Sequence, residues 1–432
     1  MLSTRSSKSL IVADRIKDAK LTVWNEFNQL AHEYKPLNLG IGFPDFMPSD
    51  QVAKALLNTA MSKNPLIYQY TRGSGHPRLV TAISKLYSKL IDRVIDPHKE
   101  ILVTVGAYEA LFCIFMALLN HGDEVIIFEP FFDSYVPVTK MAGGIPVFVP
   151  LRPKKTGVTL NSSDWVFDPQ ELESKFSPKT KLIVINTPHN PIGKVFSYEE
   201  LNVIANLCKK FDCIAIMDEV YEWIVYEHNT HIRMNTLPEM WERTLTVCSA
   251  GKTLTATGWK LGWAYGPEHL INALQLIHQN CIFTCATPIQ EAIAIIFEEE
   301  SKRMNDSNSY LAKLSNTLEK KRDFMVSFLE KSEMKPTIPE GGFFMLADFS
   351  KLAQCLDFSQ EHGDTNDYKF AKWLSKNKKL QGIPPSAFYS ETHKQLAQDY
   401  IRFCFFKKEE TLLKAERILN ELKQSIDVNR LE

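Results

Sequence analysis

Between Ile101 and Val247 short apolar runs alternate with segments of helical character, and that alternation leaves few ways to fold. Ile101-Leu-Val-Thr-Val reads as a buried strand and Tyr108 to Leu119 as a helix. Glu124-Val-Ile-Ile-Phe and Pro146-Val-Phe-Val read as strands. Lys181-Leu-Ile-Val-Ile-Asn186 reads as a strand that ends in a Pro-rich loop. Ser197-Tyr-Glu-Glu200 has the pattern of a capping box and opens a helix to about Lys210. Cys213-Ile-Ala-Ile-Met and Thr244-Leu-Thr-Val complete the series. Strands this uniformly apolar are covered on both faces. The expected fold is α/β, with a mostly parallel sheet sandwiched by helices.

The pattern changes further on. Ile271 to Phe283 and Gln290 to Glu300 read as helices, followed by a charged helix from about Ser309 to Leu329. An apolar strand at Gly342 to Leu346, a helix near Asp367 to Ser375, a strand at Tyr400 to Phe405 and a last helix from Glu409 to Ser425 suggest a smaller α+β C-terminal domain. A chain of 432 residues, 44% of them hydrophobic, is too long for one core. The expected division is an N-terminal arm over 1–45, a large domain over 46–306 and a small domain over 307–432.

Charge excludes some classes. With 50 basic and 51 acidic residues and a net charge of −1, no polyanion is an obvious partner, and no basic block suits nucleic acid. The longest apolar run, Ala110 to Leu119, is well short of the ~20 residues that a membrane span needs. The eight cysteines include no Cys-x-x-Cys pair and mostly lie in apolar runs, so reduced core thiols are expected and no metal site. The opening MLSTRSSKSL is Ser-rich with two basic residues and no acid, like the start of a mitochondrial leader. Asp14 and Asp18 follow soon after, so a cytoplasmic location is expected, with a mitochondrial one as the alternative.

Open α/β sheets place ligands at strand ends, and three ends here carry unusual chemistry. One strand ends in Asp218-Glu-Val-Tyr221, another in Ser249-Ala-Gly-Lys252, a third in Asn186-Thr-Pro-His-Asn190-Pro-Ile-Gly193. Lys252 follows a small turn and becomes a nucleophile if its amine is neutral part of the time. Lys260, in Thr257-Gly-Trp-Lys-Leu-Gly-Trp, would depress the protonation of Lys252 and share an anionic ligand with it. A buried Asp218 needs a cation, and a pyridinium nitrogen would serve. Competing motifs fail. A P-loop needs glycine where Thr246 stands, Gly73-Ser-Gly75 meets Arg78 in place of a third glycine, and Ser249-x-x-Lys252 lacks companion motifs.

Together, Asn186-Thr-Pro-His-Asn-Pro-Ile-Gly-Lys-Val-Phe, Asp218-Glu-Val-Tyr-Glu-Trp and Ser249-Ala-Gly-Lys-Thr-Leu-Thr-Ala-Thr-Gly-Trp-Lys-Leu-Gly-Trp resemble the class I/II aminotransferases, fold-type I enzymes that depend on pyridoxal 5′-phosphate (PLP). Within that family the resemblance is to the kynurenine aminotransferase group, also known for glutamine transamination and cysteine-S-conjugate β-lysis. It runs from about Trp24 to the last helix and includes Asn38-Leu-Gly-Ile-Gly-Phe-Pro-Asp-Phe, Tyr70-Thr-Arg, Gly106-Ala-Tyr108 and Glu129-Pro-Phe-Phe-Asp.

By resemblance, Lys252 is the lysine bonded to the cofactor aldehyde, Asp218 the partner of the ring nitrogen, and Tyr221 and Asn190 the donors to the ring hydroxyl. Ser249, Lys260 and the backbone N–H groups of Ala107 and Tyr108 would hold the phosphate, and Phe132 would stack on the ring. Arg402 would take the substrate carboxylate, with Gly42 and Trp24 at the mouth. Tyr70 and Phe283 would cross a two-fold interface into the site of the other subunit, which implies a homodimer. Pro130 and Pro191 resemble positions held cis. Ala107, Ile41 and Thr284 depart from the residues common in relatives, at the substrate pocket. The implied activity is ping-pong transamination from kynurenine, glutamine or other aromatic or sulfur amino acids to a 2-oxo acid. A β-lyase is the alternative within enzymes, and a PLP-binding regulatory module the alternative outside them.

Overall fold

The fold is taken from a computed structural model that describes residues 13–16, 22–226, 228–304 and 306–431. The leader-like first ten residues lie outside the described residues. Seven strands form the central sheet in the spatial order Ile101–Thr104, Gly262–Tyr265, Thr244–Ser249, Ile214–Asp218, Thr180–Asn186, Glu124–Glu129 and Ile145–Pro150. Gly262–Tyr265 pairs antiparallel with both neighbours, and the other pairings are parallel.

Successive side chains of a strand point to opposite faces. Ile183 and Ile185 therefore enter one core, beneath the helix Tyr198–Phe211, while Leu182 and Val184 enter the other, beneath Gly106–Leu118 and Glu268–Cys281. Two covered faces explain why the runs are apolar throughout. Each such side chain stabilises the sheet by roughly 1.5–3 kcal/mol when fully buried. The capping box is formed: Ser197 Oγ accepts from Glu200 N at 3.2 Å and Glu200 Oε2 accepts from Ser197 N at 3.0 Å.

The antiparallel strand was not separately legible. It lies inside the Lys260-Leu-Gly-Trp run, where motif residues mask the strand pattern. Its first residue pairs with Ser249 on one side and Thr104 on the other, and a Cβ at Gly262 would sit 2.6 Å from Cys248 O. This returning strand brings Lys260 back beside Ser249 and Gly106. The helices Asp50–Ala60 and Pro77–Leu90, also absent from the sequence reading, pack on Thr287–Glu300.

A second sheet has the order Tyr400–Cys404, Phe344–Asp348, Lys335–Ile338 and Leu160–Asn161, with the first three strands antiparallel. The long helices Tyr310–Lys331 and Glu409–Leu431 share its core, and Val23, Phe27 and Leu30 of the helix Val23–Tyr34 pack into the same cluster. No described helix is long and apolar enough to cross a membrane. Six of the eight cysteines are buried as reduced thiols; Cys281 is exposed and Cys355 half-buried. The bonds before Pro130 and Pro191 are cis, as expected, and so is Thr187–Pro188.

Candidate active site

The ends of the central strands and the edge of the second sheet enclose a cavity of about 320 Å³. Of the residues singled out from the sequence, Trp24, Gly42, Ala107, Tyr108, Phe132, Asn190, Asp218, Tyr221, Ser249, Lys252, Lys260 and Arg402 all line it. Tyr70 and Phe283 do not. They stack edge to face on one another, ring centroids 5.5 Å apart, on the surface, 84% and 56% exposed. Phe283 follows the end of the helix Glu268–Cys281 with φ +68°, and its ring packs against Tyr70. Within the single chain the aromatic lining is made by Trp24, Phe43, Tyr108, Phe132, Tyr221 and Phe344.

Asp218 ends its strand and is 4% exposed. Its Oδ2 accepts from Tyr135 Oη at 2.5 Å and its Oδ1 from Val220 N at 3.4 Å. Burial nonetheless pushes the carboxyl up to about 6, because desolvation outweighs those donors. The backbone carbonyl of Asp218 accepts from Asn186 Nδ2 at 2.9 Å, and Asn186 Oδ1 accepts from Asn190 N at 2.7 Å, so the amide-rich loop is tied to the acid.

Lys252 sits on the short helix Ala250–Thr253 that follows Ser249. Burial lowers its amine to about 8, and Nζ donates to Gly42 O at 3.4 Å. Lys260 takes the left-handed conformation after a turn of 3-10 helix and places Nζ 5.7 Å from the centre of the Tyr108 ring. A Cβ at Gly106 would lie 3.4 Å from that Nζ, and φ there is +74°, so glycine opens the helix where Ala107 and Tyr108 present their N–H groups.

Arg402 comes from the second sheet. Its Nη1 donates to Asn190 Oδ1 at 3.1 Å and its Nη2 to Gly40 O at 2.7 Å, while among the described residues Nε has no partner. Burial lowers the guanidinium to about 10. Its central carbon stands 4.1 Å from the Phe344 ring centre and 5.2 Å from that of Trp24, whose Nε1 donates to Asp133 Oδ2 at 2.7 Å. A buried, fork-shaped cation with a spare donor suits a carboxylate.

Sequence reasoning did not single out Tyr135 or Phe344. Tyr135 lies three residues beyond Phe132, at the start of the helix Tyr135–Met141, and that proximity was the available signal. Phe344 is one of three apolar residues in Phe343-Phe344-Met345 and carries no signal of its own.

The sequence model described as aminotransferase class I and II matches residues 34–418. Human kynurenine–oxoglutarate transaminase 3 is 51% identical over 418 residues, 96% of this chain and 91% of the human protein. Human kynurenine–oxoglutarate transaminase 1 is 45% identical over 414 residues, covering 95% and 98% of the two chains. Among solved structures, an Escherichia coli protein with a methionine aminotransferase function superposes with a TM-score of 0.84 at 30% identity, over 96% of this chain and all of that one. The chain is a class I/II aminotransferase with the fold-type I architecture, and the cofactor of that family is PLP.

The residues present fit such a cofactor. Among the described residues the buried carboxylate of Asp218 forms no ion pair, so a ring nitrogen would supply its cation; Lys252 has a lowered amine to meet an aldehyde, and Gly106 opens a helix N-terminus beside Lys260 for a phosphate.

Proposed function

We propose that the chain transfers the amino group of kynurenine, and of other amino acids with large or amide-bearing side chains, to a 2-oxo acid. The observation that carries this reading is the convergence of Lys252, Asp218 and Arg402 on one cavity walled by six aromatic rings. The names of the similar human proteins support the choice of donor. When bound, PLP supplies an electron sink and carries the amino group between the two half-reactions. Asp218 would hold its negative charge against the ring nitrogen. Tyr221 and Asn190 would donate to the ring hydroxyl, and Ser249, Lys260 and the N–H groups of Ala107 and Tyr108 would hold the phosphate. Phe132 would pack on the ring face. Arg402 fixes the substrate carboxylate, Trp24 and Gly42 shape the mouth, and Lys252 moves the proton at the substrate Cα. Adding kynurenine to the PLP-loaded enzyme should change the absorbance of the bound cofactor, and a 2-oxo acid should restore it. A cofactor band untouched by kynurenine, glutamine and phenylalanine alike would sink the reading.

We also propose a two-fold dimer in which Tyr70 and Phe283 complete the partner's site. Two large aromatic rings stacked on each other at the surface support it, since exposed apolar clusters mark interaction faces. Mixing an inactive Tyr70→Phe-type variant with Lys252→Ala should restore part of the activity, because a hybrid holds one site with both residues intact. A fully active monomer in solution would end the idea.

A further inference from the structure

Four consecutive carbonyls at the cavity mouth each accept from a cation. Gly40 O accepts from Arg402 Nη2 at 2.7 Å, Ile41 O from Lys407 Nζ at 3.1 Å, Gly42 O from Lys252 Nζ at 3.4 Å and Phe43 O from Lys407 Nζ at 2.8 Å. Arg402 and Lys252 line the cavity and Lys407 does not. Lys407 is 2% exposed, and among the described residues its ammonium bonds to carbonyls and to no carboxylate. Its charge is met by the two loop carbonyls and by the Phe43 ring, whose centre is 5.1 Å away. A buried ammonium with only neutral partners holds them firmly, since leaving them returns an uncompensated charge to a dry site.

We propose that Lys407 is a positioning residue for substrate binding. By holding Ile41 O and Phe43 O together, it fixes the carbonyl between them toward Lys252 and sets the Gly40–Phe43 loop as one wall of the amino-acid site. The other side of the loop is equally constrained, because a Cβ at Gly42 would fall 2.4 Å from Phe344 Cζ. The remaining anchors are local to the segment: Asn38 Oδ1 accepts from Gly40 N at 2.9 Å and Ile41 N at 3.1 Å, and Ile41 O accepts from Phe43 N at 3.0 Å, while Phe43 is 46% exposed. Lys407 also sits where the second sheet runs into the last helix, and its own carbonyl accepts from Lys321 Nζ. A role confined to that junction would change stability alone. A role in the loop changes how substrate binds.

The inference rests on reading this cavity as an amino-acid site, and the test separates the two. In the PLP-loaded enzyme, Lys407→Met should raise KM for kynurenine and for 2-oxoglutarate by roughly 10-fold while kcat stays within about threefold, the mark of lost binding rather than lost chemistry. The cofactor absorbance should be unchanged. Lys407→Gln, which keeps an uncharged NH2 donor for the carbonyls, should show a smaller rise in KM and serves where the methionine variant does not fold. Hydrogen exchange of the 38–44 segment should quicken in either variant with no substrate present, a readout independent of turnover. Unaltered KM together with unaltered exchange in a folded variant would overturn the role of Lys407, as would loss of kcat and cofactor with KM unchanged. Absence of transamination in the unmutated enzyme would instead remove the functional reading, and the exchange measurement would still decide whether Lys407 holds the loop.

Discussion

Lys252→Ala is expected to reduce transamination by about 10³- to 10⁴-fold, the upper range for a positioned acid–base group. It is also expected to leave PLP bound. The separation follows from the geometry. Lys252 reaches the cavity from a four-residue helix, whereas Ser249, Lys260 and the opening of the helix Gly106–Leu118 form the phosphate side independently of it. Dialysis should leave PLP on the variant, and single-turnover kinetics should locate the defect in proton movement at Cα. The buried amine titrates at about 8, and its neutral form is the nucleophile. Recapture of PLP by the cofactor-free protein should therefore accelerate as pH rises through about 8, and that limb should vanish in the variant. Normal turnover by Lys252→Ala would refute the assignment.

Asp218→Asn should lower kcat by about 10²- to 10⁴-fold by withdrawing the charge that keeps the ring nitrogen protonated, with the largest effect on the proton-transfer step. Its effect on stability should reverse with cofactor. In the cofactor-free protein the carboxyl titrates at about 6 against an ordinary value of 3.8, so the folded state disfavours the charged form. The sign follows from linkage. A raised folded value costs the fold about 3 kcal/mol above pH 6, and the cost fades as pH falls from 6 toward 3.8. Cofactor-free Asp218→Asn should thus melt higher than the unmutated protein at pH 8, with the advantage lost near pH 4. With PLP bound the order should invert, because the charge then has its cation. A cofactor-free variant that melts lower at pH 8 would show that the bond from Tyr135 outweighs desolvation.

The fold was legible where both sheet faces are covered, since apolar runs such as Ile214 to Met217 admit few other structures. The strand Gly262–Tyr265 was hidden by its glycine and by polar neighbours that serve the cavity. At the site, loops with several chemically committed residues in a row, such as Asn186 to Gly193, announced themselves. Side chains that act through tertiary contact did not. Tyr135 is a donor to Asp218 only because a helix turn faces a strand end 83 residues away, and Phe344 supports Arg402 only because two strands pair. Tyr70 and Phe283, read from the resemblance as crossing to a partner's site, meet each other within one chain and not its cavity.

The cavity draws its parts from two sheets. Asp218, Ser249 and the short helix bearing Lys252 follow from the ends of the first, while Arg402 and Phe344 belong to the second. On the proposed roles, the reagent is handled by one layer and the guest by the other. Heritable change around Phe344 in the second layer can then redirect the enzyme to a new amino acid without disturbing the chemistry, whereas loss of Arg402, or of Asp218 or Lys252 in the first layer, weakens the reaction for every substrate. A family built on this plan can diversify its diet while its reaction stays fixed. The Gly40–Phe43 loop, bonded to Lys252 from one layer and to Arg402 from the other, is where such drift would be felt first.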